Sequence, residues 1–322
     1  MRTLALLLLP CLLLSQPDST TLQRGLELNI RHRYAEALAL FSSVADSFPE
    51  HPAAPFFTAT VYQSMMLDLE SKRWSPLFYS HIDSAIHLAE RNKHDRWHRF
   101  YLGAALSYKG YQLARDKKYL PAISQVIRSV KIMNQLLRED SSFCDPLLGV
   151  GNYLYWRSKA VAWLPLVPDK RKQGLQQVRQ ACSCAGLSRW AAFSSYCWMM
   201  IEEKNYGEAA ALCREGLLHF PESRFFLWPL AESLFRHQEY AEAREVYEIL
   251  LTSVQAAKPN NHYNEIVLHW KLAQCEQALG RPSAAQSHAR RVLELTPDEE
   301  VRDRAEDKKR NARKLLEPAG AE

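Results

Sequence analysis

Glycine is scarce in this chain, with 11 in 322 residues. Long Ala-, Leu-, Glu- and Arg-rich runs separate those few glycines, which excludes a loop-rich β architecture and favours helices. No apolar run beyond residue 14 is long enough to cross a bilayer. The formal charge is only +5, and no basic block exceeds Lys308-Lys309-Arg310, so nucleic acid is not an expected partner. There is no phosphate-cradling glycine loop, no nucleophile elbow and no clustered acid pair. No Asn-x-Ser/Thr acceptor occurs either, which leans towards a bacterial periplasm rather than a eukaryotic secretory route.

The first fifteen residues have the layout of a targeting segment. Arg2 supplies a positive charge, Leu4 to Leu14 form an apolar stretch interrupted by Pro10, and Ser15-Gln16-Pro17-Asp18 turns polar. That stretch is short for a transmembrane helix and fits an export signal over residues 1–15. The mature chain is then expected to be periplasmic or secreted, without a membrane span, with peripheral envelope association as a lesser option. Pro10 stands where a lipoprotein signal needs a small residue, so lipidation of Cys11 is not expected.

Cysteine is sparse too. The six beyond the leader are at 144, 182, 184, 197, 213 and 275. Their spacing makes no disulfide framework, and Cys197, Cys213 and Cys275 fall where a small buried side chain is wanted, so structural thiols are expected. A disulfide, with Cys182–Cys184 as one candidate, is the lesser reading.

What the chain has is internal repetition. Tyr206, Ala209, Cys213, Gly216 and Pro221 are followed about 34 residues later by Tyr240, Ala243, Tyr247 and Leu250 in the same register. Tyr34, Ala37, Phe41, Val44 and Pro49 keep that spacing, and so do Ala285, Ala289, Val292 and Pro297. An aromatic closes a turn, a small alanine lets two helices touch, and a proline ends the second helix. The reading is an all-α solenoid over 18–297 of about seven antiparallel helix pairs, irregular at 53–187. A charged capping helix and tail follow over 298–322. The third pair is about seven residues over length, and Trp163-Leu164-Pro165-Leu166-Val167-Pro168 reads as a connection.

This pattern resembles the tetratricopeptide-repeat (TPR) superfamily across about 20–297. The resemblance implies a right-handed superhelix whose first helices line a concave groove. Carried onto the first helices of this chain, the groove positions are Asn29; Trp97 and Phe100; Trp198; Phe225, Trp228, Glu232, Phe235 and Arg236; and Trp270, Gln274 and Gln277. Large aromatics among Arg, Glu, Asn and Gln suit capture of a peptide or an extended ligand; packing between irregular repeats is the plainer explanation of the same rings. Only Asn29 and Arg236 sit in the register of the family's carboxylate clamp, which speaks against binding of that kind.

One stretch looks catalytic. His94-Asp95-Arg96-Trp97-His98 places two histidines at i and i+4, a spacing that can hold zinc. The plainer reading has Asp95 capping a helix and both histidines on the surface. No metal or cofactor is expected. The expected function is a non-enzymatic scaffold binding a protein or peptide, with a small-ligand or glycan-binding component of the envelope as the alternative.

Overall fold

The computed structural model describes residues 16–317 other than residue 165. The expected export signal and the end of the tail lie outside the described residues. Among these there are fifteen α-helices, one short 3₁₀ turn and no strand. Fourteen helices form seven antiparallel pairs: α1 (Ser19–Ile30) with α2 (Tyr34–Ser47), α3 (Ala53–Asp68) with α4 (Ser75–Arg91), and α5 (Arg96–Arg115) with α6 (Tyr119–Glu139). Next come α7 (Pro146–Ala160) with α8 (Arg171–Ser183) and α9 (Arg189–Glu202) with α10 (Tyr206–His219). The last two pairs are α11 (Arg224–Arg236) with α12 (Tyr240–Ala256) and α13 (Tyr263–Ala278) with α14 (Pro282–Glu294). Each helix packs on its chain neighbours, and α15 (Arg302–Leu316) packs on α13 and α14.

The repeat positions do what their chemistry suggests. Phe41, Ala37, Ala209, Cys213, Ala243, Tyr247, Leu250, Ala285 and Ala289 are all fully or almost fully buried. Phe41 stacks on Phe57 of the next pair, with ring centroids 5.3 Å apart. Burying Phe41 or Leu250 contributes about 1.5–3 kcal/mol each, and each alanine methyl less; no pair could do this without its neighbour.

The turn inside five of the seven pairs is built one way. His32, Lys117, Lys204, Gln238 and Gly280 sit two residues before the start of a second helix with φ between 59° and 72°. The next amide reaches back to the first helix, as Arg33 N–H does to the Leu28 carbonyl at 2.9 Å and Asn205 N–H to Met200 at 2.8 Å. Only Gly280 adopts this left-handed conformation without steric cost.

The irregular pairs follow the expected deviations. Helices α5 and α6 run to 20 and 21 residues, the longest in the chain. The connection expected around residue 165 joins α7 to α8, and α7 meets α8 at its closest point through paired glycines. A Cβ on Gly174 would lie 2.7 Å from the Gly151 carbonyl oxygen and 2.7 Å from the Tyr155 nitrogen. Asp95 caps α5, accepting from the His98 N–H at 2.8 Å.

Two expectations need correction. Of the six cysteines expected as free thiols, Cys144 and Cys184 are disulfide-bonded, with Cα atoms 6.3 Å apart. Residue 144 precedes α7 and residue 184 ends α8, so the bond ties the outer ends of one antiparallel pair; the backbone, not the sequence spacing, brings them together. Cys182, Cys197, Cys213 and Cys275 are buried thiols. His98, expected on the surface, is buried, with its ring against Asp95 and edge-on to His51.

Candidate functional site

The superhelix curls until its beginning meets its end. Ser223 Oγ donates to the Ile30 carbonyl at 2.6 Å, and Arg31 donates to the His219 carbonyl at 2.8 Å. The Arg224 N–H donates to His32 Nε2 at 2.9 Å, which requires that nitrogen to carry its lone pair. The Arg224 guanidinium forms a two-pronged pair with Asp68, and Tyr34 O–H donates to the same carboxylate at 2.8 Å. Asn264 donates to the Asp68 carbonyl at 2.8 Å, Asn261 to the carbonyl of Glu70 at 3.0 Å, and Arg304 to the Glu70 carboxylate at 3.0 Å.

Asp68 is buried, which alone would push its carboxyl up. The hydrogen bonds from Arg224 and His32, with the Arg224 charge, outweigh that, and the group is held well below the usual carboxylate range.

Inside this closure is a cavity of about 1030 Å³. Its wall comes mainly from the first helices of pairs: α1, α3, α5, α9, α11 and α13 all contribute, and Lys308 of α15 reaches its edge. Trp190, Trp198, Phe225 and Trp228 give it an aromatic side. Opposite in sequence, Leu26 and Asn29 of α1 and Thr60 and Ser64 of α3 add an apolar and neutral polar side. Asn29 donates to Ser64 Oγ at 2.9 Å, while its Oδ1 is buried without a hydrogen-bond partner. Arg189, whose guanidinium lies 4.8 Å over the Trp190 ring, has a buried, unpartnered Nε. Pro229 lies in the α11 wall and has no N–H, so the Phe225 carbonyl loses its helical partner. The wall therefore offers stacking surface together with unspent donors and acceptors.

Of the residues expected from the repeat register, Asn29, Trp198, Phe225, Trp228 and Glu232 come together on this wall. Glu232 is already engaged, by Lys271 at 2.8 Å and Arg236 at 2.6 Å. Burial raises its carboxyl, but these two cations hold it below the usual range.

The other expected residues lie elsewhere. Phe100 is buried and Trp97 packs edge-on to Phe143, 4.9 Å between centroids, so both fill the joint between the third and fourth pairs. Phe235 sits under the Lys271 ammonium, 4.2 Å from its ring centre, and against Tyr240. Arg236 is exposed and spent on Glu232. Trp270 packs with the apolar cluster beneath α15, and Gln274 and Gln277 lie outside the cavity wall. Trp97 and Phe100 are used up as packing between pairs, Phe235 and Trp270 pack against neighbouring side chains, and Arg236 is spent on an ion pair.

Sequence reading missed Trp190, Arg189 and the Asp68–Arg224 pair. Trp190 opens a helix whose register was visible, so its position was accessible. Nothing local marks Asp68 or Arg224. Among the described residues no group of three or more His, Cys, Asp or Glu is arranged to hold a metal ion, and His98 is taken up by Asp95 and His51.

Comparison with known proteins gives the class. Residues 224–298 match the tetratricopeptide-repeat family model. Over the whole chain the fold is similar to that of a chain in the APC/C hetero-tetramer Cut9-Hcn1, with TM-score 0.56 and 12% identity, covering 86% of this chain and 46% of that one. This chain thus spans about half the length of that neighbour. A TPR repeat-containing protein from Cytophaga hutchinsonii aligns over 89% of this chain and 98% of its own, at 14% identity and TM-score 0.46. One from Parabacteroides merdae covers 91% and 98%, at 11% identity and TM-score 0.39. No curated protein matches the sequence. Residues 224–298 carry tetratricopeptide repeats by sequence, and the described residues as a whole fold as a solenoid of that kind.

Proposed function

We propose that this protein is a non-enzymatic binding scaffold of the cell envelope or extracellular space, and that its central cavity receives a short apolar or aromatic segment of a protein partner. The repeat fold supports the general role of a protein-interaction scaffold. The observation that carries the finer reading is the cavity wall: four large aromatic rings beside the unpartnered Asn29 Oδ1 and Arg189 Nε. Rings of this kind anchor a partner's side chain at low entropic cost, and the polar atoms match a peptide backbone. The Cys144–Cys184 disulfide supports export, since such bonds persist in oxidising compartments.

A second reading rests on the closure itself. A cavity of about 1030 Å³ is close to the upper size of small-molecule sites, about 300–1,000 Å³. An extended peptide would have to thread it, whereas a compact glycan would not.

Screening a peptide library and a glycan array with the purified chain separates the two. Trp198→Ala and Trp228→Ala are each expected to weaken the selected ligand by about 2 kcal/mol or more, with Trp97→Ala as the core control that lowers stability instead. Binding that survives both cavity substitutions removes the site.

A further inference from the structure

A second surface, separate from the cavity, lies on the edge where the turns inside the pairs project. Because consecutive helices run antiparallel, the start of α6 and the α7–α8 connection fall on this same edge. On α6, Tyr119, Leu120, Ile123 and Ile127 occupy about a 100° arc at 3.6 residues per turn, and all four are exposed, Leu120 at 82%. The buried face of α6, with Ala122, Ser129 and Met133, lies to one side of that arc. In the α7–α8 connection Trp163 is 79% and Leu166 fully exposed. A monomer rarely leaves so many large apolar side chains in water together.

Basic residues outnumber acidic ones around them. Lys117 and Lys118 begin α6, and Lys170 and Lys172 follow the exposed connection; all four are exposed, and none forms an ion pair among the described residues. The acids at this edge are already engaged. Asp116 accepts from Tyr79 O–H at 2.8 Å and from Gln112 at 3.2 Å, and Asp169 is paired with Arg171 at 2.8 Å. From Lys117 to Arg138 the chain has five basic residues (Lys117, Lys118, Arg128, Lys131, Arg138) and no acid.

We propose that this edge docks on the surface of an anionic lipid bilayer. Leucine, isoleucine and tryptophan enter the boundary between headgroups and acyl chains, tyrosine sits at headgroup level, and the lysines meet the negative surface. A protein partner would need acids to match four unpaired lysines and a complementary apolar groove; a bilayer supplies both charge and apolar depth without a shaped counterpart. The solenoid would then lie with its turn edge on the membrane, independently of what the cavity binds.

The test is co-sedimentation of the full chain with phosphatidylglycerol–phosphatidylcholine vesicles and with phosphatidylcholine vesicles alone. The apolar stretch Leu4–Leu14 favours lipid by itself, so each variant is compared with the parent carrying the same N-terminus. Replacing the four lysines by glutamine is expected to lower partition onto the anionic vesicles by about several hundredfold, at about fivefold per lysine near the surface, and to leave phosphatidylcholine binding unchanged. Leu120→Ser with Trp163→Ser is expected to lower binding to both vesicles. These positions are exposed, so the thermal midpoint should not move. Two results would overturn the proposal: variants that partition as the parent does, or a parent without preference for phosphatidylglycerol. A third is self-association in solution that the same substitutions abolish, with no vesicle binding; the edge would then be a contact between copies.

Discussion

Arg224 at the start of α11 grips both carboxylate oxygens of Asp68 at the end of α3, at 2.7 and 2.5 Å, across 156 residues of chain. Both side chains are less than a tenth exposed. The pair joins the first half of the superhelix to the second and makes the concave face a partly open cavity rather than a continuous trough.

Removing one partner should therefore cost more than a surface ion pair would. Arg224→Ala or Asp68→Ala is expected to lose about 3–5 kcal/mol, because each leaves a buried charge alone. Arg224→Met with Asp68→Leu should lose far less. Urea unfolding of the two single and the double variants measures the coupling directly.

Stability should also fall in mild acid. Burial, and then the neighbouring His98, push the His51 imidazole down to about 4. Burial, with His288 and Arg291, does the same to His269. The unfolded chain takes up a proton at each near pH 6.5, while the folded chain refuses it until about 4. Their neutral burial is thus without penalty above about pH 6.5, and stability is lost as pH falls from there towards 4, by about 2–3 kcal/mol per histidine. Urea midpoints measured across that range should slope less in His51→Gln and His269→Gln variants.

Gly174→Ala should destabilise although alanine is the better helix former. Its Cβ would press on the Gly151 carbonyl and the Tyr155 amide, both backbone atoms that cannot swing aside. Overpacking costs about 1–3 kcal/mol, against about 1 kcal/mol gained in helix propensity. Gly207→Ala, where nothing lies within 4 Å, should instead be neutral or stabilising. Thermal unfolding of the two variants gives opposite signs if this is right.

Reduction of the Cys144–Cys184 bond, or its double replacement by serine, should lower stability by about 2–4 kcal/mol for a closed loop of this length. The loss should appear in the α7–α8 pair first, as faster hydrogen exchange there than in α11–α14.

Much of the architecture was legible before any coordinates. Tyr34, Tyr206 and Tyr240 mark the second helices, the alanines three residues on are buried, and α5 and α6 are over-long as their residues suggested. Five of the expected groove residues share the cavity wall. The rest, Trp97, Phe100, Phe235, Arg236, Trp270, Gln274 and Gln277, share the repeat register but lie outside the cavity wall. Trp97 shows why: the joint after the long α5–α6 pair is wide, and an indole ring gains more from filling it than from facing an empty groove.

Local spacing determined the helices, their pairing and their small contact residues, because those depend on neighbours three, four and seven positions away and on a repeat of about 34 residues. Closure of the coil was decided only in three dimensions. It depends on the rotation summed over every pair, including the irregular ones, and that sum sets whether Asp68 ever meets Arg224. The same sum decides which aromatics face the cavity and which are used up as packing. It also sets which lysines remain without partners along the turn edge.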